Sequence, residues 1–149
     1  MEPMELALAE AEKALAEGEV PVGAVLVRNG EVICTAHNTR ERTKDPTAHA
    51  EMLCLREGAR VKGDWRLDDC TLYVTLEPCP MCAGAIVMSR LGKVVFGAPD
   101  PEKGCCGSVY LLPSDPALHG KTSWRPLCEE ERCREVLTRF FETKRNKDQ

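Results

Sequence analysis

The stretch "TLYVTLEPCPMCAGAIVMSR", residues 71–90, sets the architecture. Its first six residues are mostly apolar and β-prone and read as a short strand. Its second half, from Cys79 onward, reads as a helix opened by prolines, where a missing N–H costs little. Cys79 and Cys82 stand three apart at that helix start. There both sulfurs share one face, next to free N–H groups and the positive end of the helix dipole. Such surroundings lower thiol pKa values and favour thiolates, the form that binds zinc. Alone the motif leaves two readings open, because Cys-x-x-Cys at a helix start also describes a redox dithiol.

A second stretch, "DPTAHAEML" at residues 45–53, decides between them. It places His49 and Glu51 in the first turn of a helix that follows a proline-containing extended segment. Two helix starts converging on one point would bring His49, Cys79 and Cys82 together. Three protein ligands with an open fourth position form the catalytic zinc pattern. A closed structural site would need a fourth ligand, for which His37, Cys105 and Cys106 are candidates. Glu51 reads as a base beside the metal: two thiolates and a neutral imidazole leave zinc a weak Lewis acid, so its water needs a proton acceptor. The plainer reading is a first-turn acid favoured by the dipole.

Working outward, residues 3–17 carry Met4, Leu6, Leu8, Ala11 and Leu15 among glutamates, an amphipathic helix stopped by Gly18. Residues 22–38 form two β-branched runs around Asn29-Gly30, a hairpin signal. Residues 47–63 follow as a helix of about 14 residues. "KVVFGA", residues 93–98, is another strand, and 129–145 close the chain as a helix with Cys133, Val136, Leu137, Phe140 and Phe141, and the preceding Leu127, on its apolar side. Residues 99–128, rich in Gly, Pro and Ser, are the least readable. The order predicts an α/β fold, a mixed sheet covered by helices on both faces, as one domain over residues 1–149.

Composition excludes some classes. Hydrophobic residues make up 43% and charged residues 30%, the balance of a globular chain. No apolar run is long enough for a membrane span, and the acidic N-terminus lacks signal-peptide features, so the expected location is the cytoplasm. Nine cysteines, an odd number without a secretory signal, argue against a disulfide framework. Most of those outside "PCPMC" are expected to be small buried residues. A net charge of −4 disfavours nucleic-acid binding through a global positive field. It leaves room for a local patch at Arg139, Lys144, Arg145 and Lys147.

His49-Ala50-Glu51 followed by Pro78-Cys79-Pro80-Met81-Cys82 resembles the zinc-dependent cytidine and adenosine deaminases. Segments 19–27, 37–38, 45–53, 71–90 and 93–104, in that order, resemble the bacterial tRNA-specific adenosine deaminases within them. The likeness covers roughly residues 5–111 and resumes at 133–145. It implies a three-layer α/β/α fold with a five-stranded mixed sheet, one Zn2+ per subunit and a homodimer. It implies hydrolytic conversion of adenosine to inosine at the wobble position (34) of tRNA-Arg, through the anticodon stem-loop. Glu51 would shuttle protons and ammonia would leave. By position, the resemblance gives Asn38 a hydrogen bond to the purine, Val22 and Ala50 a place in the pocket wall, and Asp100 a contact to the RNA backbone. It gives Phe140, Phe141, Lys144 and Arg145 a role in holding the anticodon loop. Each has a plainer reading: a polar strand end, core, or solvated charge. Departures concern substrate rather than zinc. Pro99 stands where arginine is common, Cys105 and Cys106 replace smaller residues, and residues 114–131 do not follow the family pattern. A deaminase of a free nucleobase or nucleoside (guanine, cytosine or adenosine) is the nearest alternative, and a silent zinc scaffold without use for Glu51 is the third.

Overall fold

A computed structural model describes residues 2–147 of the chain. Helix α1 spans Pro3–Ala16, then the hairpin β1 (Gly23–Arg28) and β2 (Glu31–His37), a short α2 (Arg40–Thr43), α3 (Ala50–Lys62), β3 (Cys70–Leu76), α4 (Pro80–Met88), β4 (Lys93–Ala98), a 3-10 turn at Pro116–Leu118, β5 (Ser123–Arg125) and α5 (Glu130–Lys147). Asn29 and Gly30 both take positive φ, 50° and 79°, as a tight two-residue hairpin turn requires. Gly63 ends α3 in the left-handed conformation at φ 79°. The expected elements are present; α2 was not foreseen.

The strands form one five-stranded sheet in the order β2-β1-β3-β4-β5. The pairs β2–β1 and β1–β3 are antiparallel, β3–β4 and β4–β5 parallel. Alternation along β1 assigns the faces. Ala24 and Leu26 point into a cluster with Cys54 and Leu55 of α3 and Ile86 of α4. Val25 points the other way, into a cluster with Met4, Ala7 and Leu8 of α1 and Cys133 of α5. The result is the three-layer α/β/α arrangement expected. Close approach fixes two of these layers: a Cβ on Gly58 would lie 2.2 Å from a Leu26 methyl, and one on Gly97 2.3 Å from the Cys133 sulfur.

Most expected core positions are buried. On α5, Cys133, Val136 and Phe140 face inward, but Phe141 is half exposed and Leu127, which precedes the helix, is 52% exposed. Leu127 sits at positive φ in the turn entering α5, which turns it away from the helix's apolar side. Cys54, Cys70, Cys105, Cys106 and Cys133 are buried free thiols, with Cys34 and Cys128 partly exposed. Burial pushes Cys70 up to about 11 and Cys133 up to about 12, consistent with inert packing residues. Among the described residues no helix is long and apolar enough to cross a membrane.

Candidate active site

The carboxyl ends of the parallel strands β3 and β4 meet the amino ends of α3 and α4, where open α/β sheets form their clefts. His49 is the N-cap of α3 and Cys79 the N-cap of α4; neither side chain caps its own helix, so both are free to turn outward. Cys82 lies in the first turn of α4. His49 Nδ1 is 3.6 Å from Cys79 Sγ and 3.5 Å from Cys82 Sγ. The three ligand atoms all lie within 4.8 Å of one another. Tetrahedral zinc with ordinary Zn–N and Zn–S bonds has N···S edges of roughly 3.6 Å, so the donor set fits that ion.

The electrostatics favour a metal too. Cys79 is lowered to about 4 by the hydrogen bond from Cys82, against burial and with help from His49. Cys82 is pushed up by the same pairing and by burial. One thiolate is thus easy and the second hard, a situation a divalent cation relieves by taking the place of the shared proton.

The cluster opens on a cavity of about 580 Å³, large enough for a nucleobase with its sugar. Glu51, 4% exposed, lines it. Burial pushes its carboxyl up to about 7. Val22, Asn38, Ala50, Asp100 and Phe141 line the same cavity. Asn38 is held at both ends: its Oδ1 accepts from Arg40 N at 3.1 Å, and its Nδ2 donates to Val20 O at 3.2 Å. One lone pair and one N–H of that amide remain for a ligand. The Asp100 carboxylate accepts from the backbone N–H groups of Glu102 and Lys103 at 3.0 and 3.2 Å.

Three expected site residues stand outside the cavity lining. Phe140 is buried, Lys144 lies over its ring at 5.7 Å, and Arg145 is exposed. Lys147 is beyond the residues whose side chains are described. The proposed fourth ligands of a closed zinc site are elsewhere: His37 is held between Glu10 and Glu17 at 2.7 and 3.0 Å. Cys105 and Cys106 are outside the ligand group found among the described residues.

The structure adds residues that the sequence did not single out. Arg40 and Lys103 bring cations to the cavity. Glu19, 1% exposed, accepts from Glu41 N and Arg42 N at 2.9 and 2.8 Å and so anchors α2 beside Asn38. Glu77 is buried beneath the 99–108 loop. The only signal for it was an acid wedged between an apolar strand and a Cys-x-x-Cys helix.

Residues 1–98 match the family model for the cytidine and deoxycytidylate deaminase zinc-binding region. The chain belongs to the cytidine and deoxycytidylate deaminase family. Among its relatives in that family is the tRNA-specific adenosine deaminase of Bacillus subtilis (strain 168), 51% identical over 144 residues, 97% of this chain and 89% of that protein. The tRNA-specific adenosine deaminase of Aquifex aeolicus (strain VF5) is 47% identical over 143 residues, 96% of this chain and 94% of that one. A solved structure from work on A-to-I editing by tRNA:A34 deaminases at the wobble position of transfer RNA superposes with a TM-score of 0.87 at 41% identity, covering 90% of this chain and 97% of that chain. The guanine deaminase of Bacillus subtilis gives a TM-score of 0.62 at 39% identity, covering 65% of this chain and 62% of that one.

Proposed function

We propose that this deaminase converts adenosine to inosine at the wobble position of a transfer RNA, with release of ammonia. The observation that carries the reading is a buried carboxylate beside a His-Cys-Cys ligand set, in a chain about half identical to tRNA-specific adenosine deaminases along nearly its whole length.

His49, Cys79 and Cys82 would hold one Zn2+ per chain. When bound, the ion supplies the Lewis acidity that makes a water nucleophilic at neutral pH. The chain's own residues do the rest. Glu51 takes a proton from the water and returns it to the ring nitrogen; the second passes to the departing amine. Adenine and water thereby become hypoxanthine and ammonia, and the atoms balance. Burial suits Glu51 to this task, because a carboxyl titrating near neutrality both accepts and gives a proton readily. Asn38 orients the purine through its free amide positions. Val22 and Ala50 pack against the base. Asp100, Arg40 and Lys103 lie where the backbone beside a flipped-out base would pass. Phe141 offers an exposed ring to a neighbouring base, and Lys144 and Arg145 extend that edge along α5.

The partner is the anticodon stem-loop of a tRNA-Arg, and the place of action is the cytoplasm. The working form is a homodimer. Helix α4 carries no charged residue, yet Met88 is 76% exposed on it, and a helix apolar all round belongs in an interior or an interface. Sedimentation of the purified protein at twice the chain mass supports this; a monomer at micromolar concentration rejects it.

The function is tested with zinc-loaded protein, an arginine anticodon stem-loop bearing adenosine at the wobble position, and free adenosine, guanine and cytosine in parallel. Inosine confined to the wobble position is the expected product. Ammonia from a free base with the stem-loop untouched would instead assign the protein to nucleobase metabolism.

A further inference from the structure

We propose that Glu77 is a positioning residue: its carboxylate clamps the 99–108 loop onto the segment that carries Cys79, and the clamp sets how tightly the cavity holds RNA around the target base. The second half of this statement rests on the tRNA reading above.

Glu77 directly follows β3 and is 2% exposed. Its Oε1 accepts from Asp100 N at 3.0 Å, and its Oε2 accepts from Cys106 N at 2.9 Å and Ser108 N at 3.0 Å. The Ser108 hydroxyl donates to Oε1 as well. No cation forms an ion pair with it among the described residues. A buried charge without a counter-ion is costly unless hydrogen bonds satisfy it, and here every donor comes from one loop. The loop is shaped around the group. A Cβ on Gly104 would lie 2.3 Å from Glu77 Cδ, so the chain passes over the carboxylate only because residue 104 has no side chain. A second tie, Cys105 N to Pro78 O at 2.9 Å, fastens the loop to the residue before Cys79.

The clamped loop supplies one side of the cavity through Pro99, Asp100 and Lys103, facing Asn38 and Val22. Glu77 belongs to neither apolar cluster and is absent from the ligand group. Its loss therefore acts on the wall that meets substrate, not on the sheet or the metal centre. A glutamine at this position keeps the volume but has a single acceptor atom, too few for four donors.

The test compares wild type with Glu77→Gln and Ser108→Ala, all zinc-loaded. Zinc content, kcat and KM on the wobble-adenosine stem-loop, and amide exchange at residues 100, 106 and 108 are measured. For Glu77→Gln, zinc stays at the wild-type level, KM rises about tenfold, kcat stays within about threefold, and the three amides exchange faster. Ser108→Ala moves KM and exchange the same way by less, and gives the reading if Glu77→Gln does not fold. Unchanged KM in both variants overturns the proposal. So does a fall in kcat together with zinc at constant KM, which would place Glu77 with the metal centre. If wild type makes no inosine from the stem-loop, the tRNA reading fails, and the clamp is judged by exchange alone: faster exchange upholds it and unchanged exchange overturns it.

Discussion

Phe140 and Phe141 meet edge to face, ring centroids 5.3 Å apart at 77°, yet they face different surroundings. Phe140 is 9% exposed and carries Lys144 over its ring, whereas Phe141 is 50% exposed and lines the cavity. Adjacent helical residues point about 100° apart, so a pair at the edge of an apolar stripe divides between core and rim. Phe140→Ala is expected to cost about 3 kcal/mol and lower Tm. Phe141→Ala should leave Tm in place and raise KM for the stem-loop. Thermal melts and steady-state kinetics on the two variants separate these roles; matching profiles would show that the rings act as one unit.

The metal stabilises the fold from its edge rather than from its centre. His49 and Cys79 sit at helix N-caps, and both apolar clusters are built from other side chains apart from Ala50, which follows His49. Chelation, or His49→Ala, should abolish activity and release the zinc while far-UV circular dichroism stays close to that of the loaded protein. Tm should fall, since an ion that binds only the folded state adds about 4 kcal/mol when its free concentration is a thousandfold above Kd. Complete unfolding on chelation would mark the site as a folding nucleus instead.

Acid stability should report on Glu10. This carboxylate is buried between α1 and β2, where desolvation raises its pKa but hydrogen bonds from His37, Lys13 and Thr35 outweigh that and hold it below its ordinary value near 4.5. A group whose pKa is depressed by folding stabilises the protein above its unfolded value and loses that contribution as pH falls through the folded one. Glu10→Gln should therefore cost on the order of 1 kcal/mol at pH 7, with the gap to wild type closing below pH 4.5. Urea titrations at several pH values measure the gap; a constant gap down to pH 3 would rule out this linkage.

Much of this was legible in the residues because local chemistry and tertiary need agree. Asn29-Gly30 permits one kind of hairpin, Gly63 ends α3, and the spacing of Cys79 and Cys82 suits a helix start. The β5 strand was not legible: Ser123, Trp124 and Arg125 are all exposed or nearly so, show no alternation, and become a strand only by pairing with Lys93–Val95. Helix α2 is a single turn held by the distant Glu19, which no local pattern announces. Glu77 is a more general case. A charged residue beside a motif looks solvent-facing until the chain places four donors around it.

The most direct test of the account is the Glu51→Gln variant, assayed for zinc and for inosine in the wobble-adenosine stem-loop. The substitution keeps shape and removes the proton acceptor from a cavity whose ligand set is untouched. One zinc per chain, wild-type binding of the stem-loop and turnover reduced by roughly a thousandfold or more are the predicted results. Turnover comparable to wild type, with zinc in place, would contradict the assignment of Glu51 as the proton carrier.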